Sequence, residues 1–540
     1  MTTAFTILEN KENPSRKNYI LFLLLIIFIL LISTITFAIL LFKNSSSSRV
    51  ASRYVADNDD IDNPSSLSNN ENYVQWTILQ MNDVYELLPS GGGNKGGLAH
   101  VAYLRDSLLK ENPHTYTVLS GDFLSPSPLS LAIVNGTRLN GKQMIASFNT
   151  LGLDFVTFGN HEFDLSEIEL IRRMNESTFT WISSNVFDPH TNTSFASSIP
   201  YKLITIRHVR ILLIGLTTAK NPVNYTRVVN ETSLVPFVQQ FLQSLTTVHY
   251  DVLIALTHLD VANDIILAQN IPQIDLILGG HEHENYFLLR GAKFTPIYKA
   301  DSNAVTVFIH RCAFNLKAKK FHVHSKLTKI TSEMKYQEKT FEITNYWFNL
   351  GMQSFIEMGY QPNETVSCLP NSIELDGRSS SVRNYPTRLT EYCCQALLES
   401  TKQDTTVVAL FNSGSIRIDD ILQGKITQYD ILRTLPFFNK LVTLSVPGQI
   451  LAKVLSEGVS LRGNGMFLAY EGIATFDEGK TWLLNGTDIS KSKENYNIVT
   501  LDYARENTGL NDPAVTIIHN YDLLHTKALL NYLRMIYPPC

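Results

Sequence analysis

Five short apolar runs in this chain stop on residue types that bind hard or borderline metal ions. The run 77–81 leads into Asn82-Asp83, 116–119 into Ser120-Gly121-Asp122, and 155–158 into Gly159-Asn160-His161-Glu162. The run 252–256 ends on Thr257-His258, and 275–278 on Gly279-Gly280-His281-Glu282-His283. A sixth run, 211–214, ends without a ligand at Gly215-Leu216-Thr217. Short β-rich runs closed by Gly or polar punctuation read as buried strands. In open α/β sheets, ligands gather at the carboxyl ends of such strands. Carboxylates, an amide and three histidines delivered to one edge describe a two-metal hydrolytic centre.

Taken singly, each of these residues has a plainer explanation. A strand-end Asp is more often a helix cap or turn former, and a lone His258 more often a satisfied core or surface residue. The joint pattern reverses that ordering. Gly-Asn-His-Glu at 159–162 and Gly-Gly-His-Glu-His at 279–283 are specific, and His281 and His283, two apart in extended chain, can flank two ions from one loop.

The elements that must position these groups alternate strand and helix from Val74 to about Ile330, as in a layered α/β domain. Gly96-Gly97 followed by Leu98, Val101, Leu104, Leu108 and Leu109 reads as a helix start with an apolar stripe; a phosphate-cradling turn is the less favoured reading of the glycines. Residues 335–358 form a connecting helix. A second domain follows, with strands at 407–411, 441–446 and 498–501 and helices at 389–399 and 449–458. The predicted organisation is a cytoplasmic tail (1–18), a transmembrane signal anchor (19–42), a flexible stalk (43–73), a catalytic domain (74–333), the connecting helix (334–360) and a substrate-binding domain (361–536).

The residues from Ile20 to Phe42 are 23 without a charge, long enough to span a bilayer and longer than a secretory apolar core. No small-residue cleavage pattern follows, so an uncleaved anchor is expected. Asn-X-Ser/Thr acceptors at Asn44, Asn135, Asn175, Asn192, Asn224, Asn230, Asn363 and Asn485 all lie beyond it, which puts the body in the lumen or outside the cell as a single-pass type II glycoprotein. Residues 529–540 lack a long apolar tail, against a lipid-anchor signal. Composition is that of an ordinary folded protein, 44% hydrophobic and 18% charged, and a formal net charge of −5 with no Lys/Arg run gives no nucleic-acid footprint. Five cysteines are too few for a disulfide scaffold, and their odd number leaves at least one unpaired within the chain.

The motifs Asn82-Asp83, Gly96-Gly97-Leu98-Ala99, Gly121-Asp122, Gly159-Asn160-His161-Glu162-Phe163-Asp164, Thr257-His258 and Gly-His-Glu-His resemble the calcineurin-type metallophosphoesterases, and within them the 5′-nucleotidase family. The resemblance implies a four-layer αββα sandwich followed by a second α+β domain. It implies that Asp122 bridges two divalent ions, that Asp83 and His283 hold the first, and that Asn160, His258 and His281 hold the second. It makes His161 the donor to the phosphoryl oxygens, oriented by Asp164. Zinc or manganese is the expected metal. The family's Asp-X-His is here Asp83-Val84-Tyr85, so Tyr85 is either a phenolate ligand, which would favour iron, or a packed spectator, the slightly favoured reading.

Over the second domain, Arg383, Asn412 and Arg417 match positions that grip the anionic end and ribose, and Phe437 and Tyr503 the rings that sandwich the base. By themselves Phe437 and Tyr503 would be core aromatics. Glu506-Asn507-Thr508-Gly509 replaces a segment that usually carries a ribose-binding carboxylate, and Thr390-Glu391 replaces a usual Gly-Asn. The expected activity is hydrolysis of nucleoside 5′-monophosphates or related nucleotides. A nucleotide-sugar or cyclic-nucleotide phosphodiesterase or pyrophosphatase of the same fold, and a non-catalytic nucleotide-binding relative, are the rivals. The partners that follow are a nucleotide, the membrane through the N-terminal helix and no nucleic acid, with a homodimer open.

Overall fold

The computed structural model describes residues 71–540, so the tail, the anchor 19–42 and nearly all of the stalk lie outside the described residues. Among the described residues no helix is long and apolar enough to cross a membrane.

Two six-stranded sheets build the first half. In one, Tyr73–Met81, Thr115–Ser120, Phe155–Thr157 and Thr180–Trp181 run parallel, and Thr306–Asn315 and Lys320–Lys329 extend it antiparallel. In the other, Val209–Thr217, Val252–His258, Leu276–Gly279 and Thr295–Lys299 are parallel, flanked by antiparallel Tyr201–Ile206 and Tyr286–Arg290. Side chains alternate across each sheet with period two. Val74, Trp76 and Ile78 meet Ile211, Leu213, Ile254 and Leu256 in a core between the sheets. Leu79 and Met81 turn the other way, into a core shared with the helices Leu98–Glu111 and Lys142–Leu151. Leu212, Ile214, Leu253 and Ala255 pack beneath Glu231–Ser244 and Val261–Asn270. The stacking is helix, sheet, sheet, helix.

The helix Glu338–Glu357 belongs to the first helical layer as much as it connects, because Met352 and Phe355 sit in that layer's core. Three polar side chains tie the sheets together close to their carboxyl ends. Gln80 Nε2 donates to the carbonyls of Gly279 and Tyr298 at 3.0 Å each, Ser120 Oγ to Leu278 at 2.8 Å, and Thr217 Oγ1 to Phe158 at 2.8 Å.

The second half is a five-stranded mixed sheet in the order Leu468–Glu471, Val408–Asn412, Asn495–Leu501, Lys440–Pro447, Thr516–Leu524. Arg388–Ser400 and His525–Ile536 cover one face and Gly448–Ser460 the other. Val408–Asn412 and Asn495–Leu501 are parallel neighbours, so Asn412 and Tyr503 leave the sheet at the same edge. A disulfide joins Cys368 to Cys540, while Cys312, Cys393 and Cys394 are free and buried.

Two buried histidines outside the ligand motifs make stability acid-sensitive. Burial drives His310 and His525 down to about 3. His310 is fully partnered, by Gln80 Oε1 at 2.9 Å and Ser325 Oγ at 2.7 Å, whereas His525 Nε2 has no partner. The unfolded chain takes up a proton at each near the ordinary value of about 6.5, the folded chain only near 3. Their stabilisation is therefore intact above the ordinary value and lost as pH falls towards the folded one, at about 1.4 kcal/mol per pH unit per histidine. Denaturant unfolding of His525→Phe across pH 4–7 should show an acid slope shallower than wild type by that amount, and identical slopes would refute the assignment.

Candidate metal centre and substrate cleft

Asp83, Asp122 and Asn160 leave the carboxyl ends of three parallel strands of the first sheet, and His258, His281 and His283 those of two neighbours in the second. The backbone itself is bent to deliver them. Asp83, Asp122 and His281 have φ of 53°, 56° and 82°, in the left-handed region that residues with a Cβ rarely adopt. Such conformations cluster where geometry has to be held for function.

Asp83, Asp122 and His258 place ligand atoms within 4.8 Å of one another, all buried. His258 Nε2 is 3.2 Å from Asp122 Oδ2 and 3.9 Å from Asp83 Oδ1, and His283 Nε2 is 3.5 Å from Asp83 Oδ1. His281 Nδ1 approaches His258 Nε2 at 3.3 Å. Each imidazole thus turns one nitrogen to the cluster, and each is anchored through the other. His258 Nδ1 contacts the Ser120 carbonyl at 2.7 Å, His281 Nε2 contacts Lys220 Nζ at 3.0 Å and Asp260 at 3.3 Å, and His283 Nδ1 is hydrogen-bonded to Asp419. Fixing the second nitrogen sets tautomer and ring orientation for a metal ligand. Asp83 Oδ1 and Asn160 Oδ1 are buried with no hydrogen-bond partner, although buried oxygens normally have one. Oxygen and imidazole donors with orphaned lone pairs at their centre fit divalent cations such as zinc or manganese.

The electrostatics agree. Burial alone would raise Asp83 and Asp122, but His258 beside them pulls both below the usual carboxylate range. Against burial, Asp122 lifts His258 to about 10 and Asp419 lifts His283 to about 9. Burial, helped by the Lys220 charge and opposed by the Asp260 hydrogen bond, takes His281 to about 4. Cations and protons compete for the same nitrogens, so metal uptake at neutral pH releases protons.

Tyr85 is buried beside the cluster. Its hydroxyl donates to Asp122 Oδ2 at 3.1 Å, and burial with the Asp122 and Asp83 charges holds the phenol well above its ordinary value. Gly159 is fixed by close approach, since a Cβ there would lie 2.0 Å from Asp122 Oδ1. Glu162, quoted in the sequence motif without a role, clamps the loop. Its carboxylate accepts from the backbone N–H groups of Asp122 (2.9 Å), Phe123 (2.8 Å), Leu124 (3.2 Å) and Gly159 (2.6 Å).

Over this edge lies a cleft of about 550 Å³ walled by both halves of the protein. Asn160, His161, Asp164 and His281 line one side; Arg383, Asn412, Arg417, Phe437 and Tyr503 line the other. Asp83, Asp122, His258 and His283 do not reach the cleft surface and sit buried beneath it. His161 Nδ1 is 2.8 Å from Asp164 Oδ2, and the His161 N–H donates to Asp122 Oδ1 at 2.8 Å. Sequence reasoning passed over Lys220 and Asn221, which follow the one strand that ends without a ligand. Lys220 Nζ pairs with Asp260 at 2.7 Å, and Asn221 Nδ2 donates to Asp164 at 3.3 Å. Asp419, two residues after Arg417, was also missed; its motif offered no signal.

Residues 77–285 match the calcineurin-like phosphoesterase family model, and residues 369–511 the 5′-nucleotidase C-terminal domain. The chain belongs to the 5′-nucleotidase family of metallophosphoesterases. That family consists of metal-dependent phosphoric ester hydrolases. The 5′-nucleotidase of Bos taurus is 24% identical over 448 residues, 74% of this chain and 75% of the relative. Protein UshA of Yersinia enterocolitica is 24% identical over 476 residues, 79% of this chain and 84% of the relative. The 5′-nucleotidase precursor of Thermus thermophilus superposes with a TM-score of 0.71 at 20% identity, covering 86% of this chain and 97% of the other. This structural likeness establishes the mixed α/β two-domain fold.

Glu162→Gln should weaken the centre without touching a ligand. The amide nitrogen cannot accept, so two buried N–H groups of the 121–124 and 159 loops lose their partner, at about 1–3 kcal/mol each. A lowered melting temperature together with reduced metal content is the expected result, and a variant matching wild type in both would show that the clamp is dispensable.

Proposed function

We propose that the protein is a membrane-anchored 5′-nucleotidase working outside the cytosol, with a dinuclear metal centre that hydrolyses nucleoside 5′-monophosphates or related nucleotides. One observation carries this reading: a single cleft over the carboxylate–imidazole cluster is lined by two arginines, several amides and two aromatic rings. Those are the kinds of group a phosphate, a sugar and a base require. The names of the bovine and bacterial relatives support the same substrate class.

Asp122 would bridge the two ions, Asp83 and His283 hold the first, and Asn160, His258 and His281 the second. When bound, the ions supply Lewis acidity to the phosphoryl group and to the water that attacks it. The remaining work falls to side chains. Asp164 holds His161 through Nδ1 and is itself held by Asn221 and by Ser125 Oγ at 3.0 Å, which leaves the far imidazole nitrogen to donate as charge builds on the phosphoryl oxygens. Arg383 and Arg417 grip the anionic end with planar forks. Phe437 and Tyr503 stack the base through its π-face.

These roles separate kinetically. His161→Ala should lower kcat by about 10²–10³ with KM and metal content nearly unchanged, the scale of losing one transition-state donor. Phe437→Ala and Tyr503→Ala should instead raise nucleotide KM by about 5- to 150-fold, one stack being worth about 1–3 kcal/mol in both ground and transition states. A phenyl phosphate substrate should need His161 and ignore both rings. Nucleotide KM unmoved by the aromatic changes would overturn the nucleotide reading and leave the phosphatase standing.

Location rests on three observations. The apolar segment 19–42 is long enough for an anchor. Asn135, Asn175, Asn192, Asn224, Asn230, Asn363 and Asn485 are all exposed, as glycan acceptors must be. The Cys368–Cys540 disulfide belongs to oxidising compartments. The full-length product should fractionate with membranes, keep its initial N-terminus and shift in mobility on glycosidase treatment. A soluble product beginning near Ser45 would mean a cleaved signal peptide instead.

A further inference from the structure

The three imidazoles of the cluster are anchored in different ways. His258 is held by the Ser120 carbonyl and His281 by Asp260, both from the same half of the protein as the ligands themselves. His283 is held by Asp419, which comes from the second half, 136 residues along the chain. Asp419 is built into place: it is buried, has a left-handed φ of 46°, and its other oxygen accepts the Ser379 N–H at 2.8 Å. A second contact runs in parallel. Arg417 lies 5.6 Å over the Tyr85 ring and reaches its hydroxyl at 3.4 Å, and that hydroxyl donates to Asp122. Arg417 and Asp419, two residues apart, thus reach Tyr85, which contacts Asp122, and His283 itself from the second half.

From this juxtaposition we infer that Asp419 is a positioning residue for the metal centre, so that the substrate-binding half completes the site of the ion held by Asp83 and His283. The inference rests on the two-metal reading above. A carboxylate on the free nitrogen of a ligating imidazole fixes its tautomer and raises its basicity, and loss of such a partner costs about 10- to 100-fold in metal affinity. The cost should fall on one ion of the pair. The ion held by Asn160, His258 and His281 draws its imidazole supports from Ser120 and Asp260 and should be indifferent to Asp419.

The test is metal content of the whole ectodomain after dialysis against graded chelator, read by mass spectrometry, with phosphate release measured in parallel. Wild type should keep two ions to a chelator strength at which Asp419→Ala keeps one, the affinity of the lost ion falling about 10- to 100-fold. Asp419→Asn, which leaves an acceptor without the charge, should fall between them, and Asp419→Glu should recover part of the loss. Circular dichroism and the unfolding midpoint in chelator establish that each variant is folded. Two ions retained by Asp419→Ala with wild-type chelator resistance would overturn the inference and leave the phosphatase reading intact. Loss of both ions together would overturn it as well, because the support would then not be selective. A wild type that binds no metal would end both readings.

Discussion

Everything at this site depends on keeping two carboxylates, Asp83 and Asp122, ionised side by side in the interior. Buried anions repel each other and lose their hydration, and each alone would take up a proton instead. The protein answers with cationic imidazole from His258 and His283, with the His161 N–H and the Tyr85 hydroxyl on Asp122, and with the Asn82 amide and the His281 N–H on Asp83, each at 2.9 Å. That compensation is still incomplete, because Asp83 Oδ1 and Asn160 Oδ1 have nothing to accept. A site that spends so much structure on stabilising negative charge, yet leaves oxygens bare, is arranged for a partner stronger than a proton. The left-handed backbone at Asp83 and Asp122 and the close approach at Gly159 follow from the same demand, since ordinary strand exits would not bring these oxygens together.

The sequence marks the clustered residues because the architecture puts them where a reader can find them. Parallel strands end at one edge, so apolar runs closed by Asp83, Asp122, Asn160, His258 and His281 announce both the strands and the site. The supports were another matter. Glu162 was visible inside its motif, but that its carboxylate gathers four N–H groups depends on how the 121–124 loop folds back over it. Gln80, inside the apolar run 77–81, ties the two sheets together. The contact of the Tyr85 hydroxyl with Asp122 spans 37 residues and has no local signature. Asp419 was illegible in principle, as its meaning comes from a contact 136 residues distant between separately cored halves. Local pattern encodes what one element does, and these residues act between elements.

The wall of the cleft contributed by the second half has a character of its own. Asn412, Asn439, Asn464 and Asn507 line it, and among the described residues lining the cleft Asp164 is the one carboxylate, already committed to His161. Asn507 stands in the segment where a ribose-binding carboxylate is usual, and its amide nitrogen is engaged by the Tyr503 carbonyl at 2.9 Å, leaving the oxygen to accept. A neutral acceptor holds a sugar hydroxyl less tightly than a carboxylate does, because charge-assisted hydrogen bonds are about twice as strong as neutral ones. On the proposed nucleotide reading, binding energy then shifts from the sugar towards the rings and the arginines.

The union of the two halves is polar as well as close. Glu86 and Arg433 form a buried ion pair at 2.7 Å, Lys95 reaches Asp420 at 3.5 Å, and the Ser380 N–H donates to Glu284 at 3.1 Å, with Phe348 against Tyr429 as an apolar contact. Charge of both signs comes from each half, with Glu86 and Glu284 answered by Arg433 and the Ser380 N–H, and Lys95 and His283 by Asp420 and Asp419. A buried ion pair adds little net stability over an apolar contact, yet removal of one partner costs about 3–5 kcal/mol, so such an interface tolerates few alternative registers. Register matters here because the cleft exists only between the halves. An apolar seam could slide by a side chain with little penalty and carry Arg383, Phe437 and Tyr503 out of line with His161. Charged pairing fixes the placement of one wall of the cleft against the other.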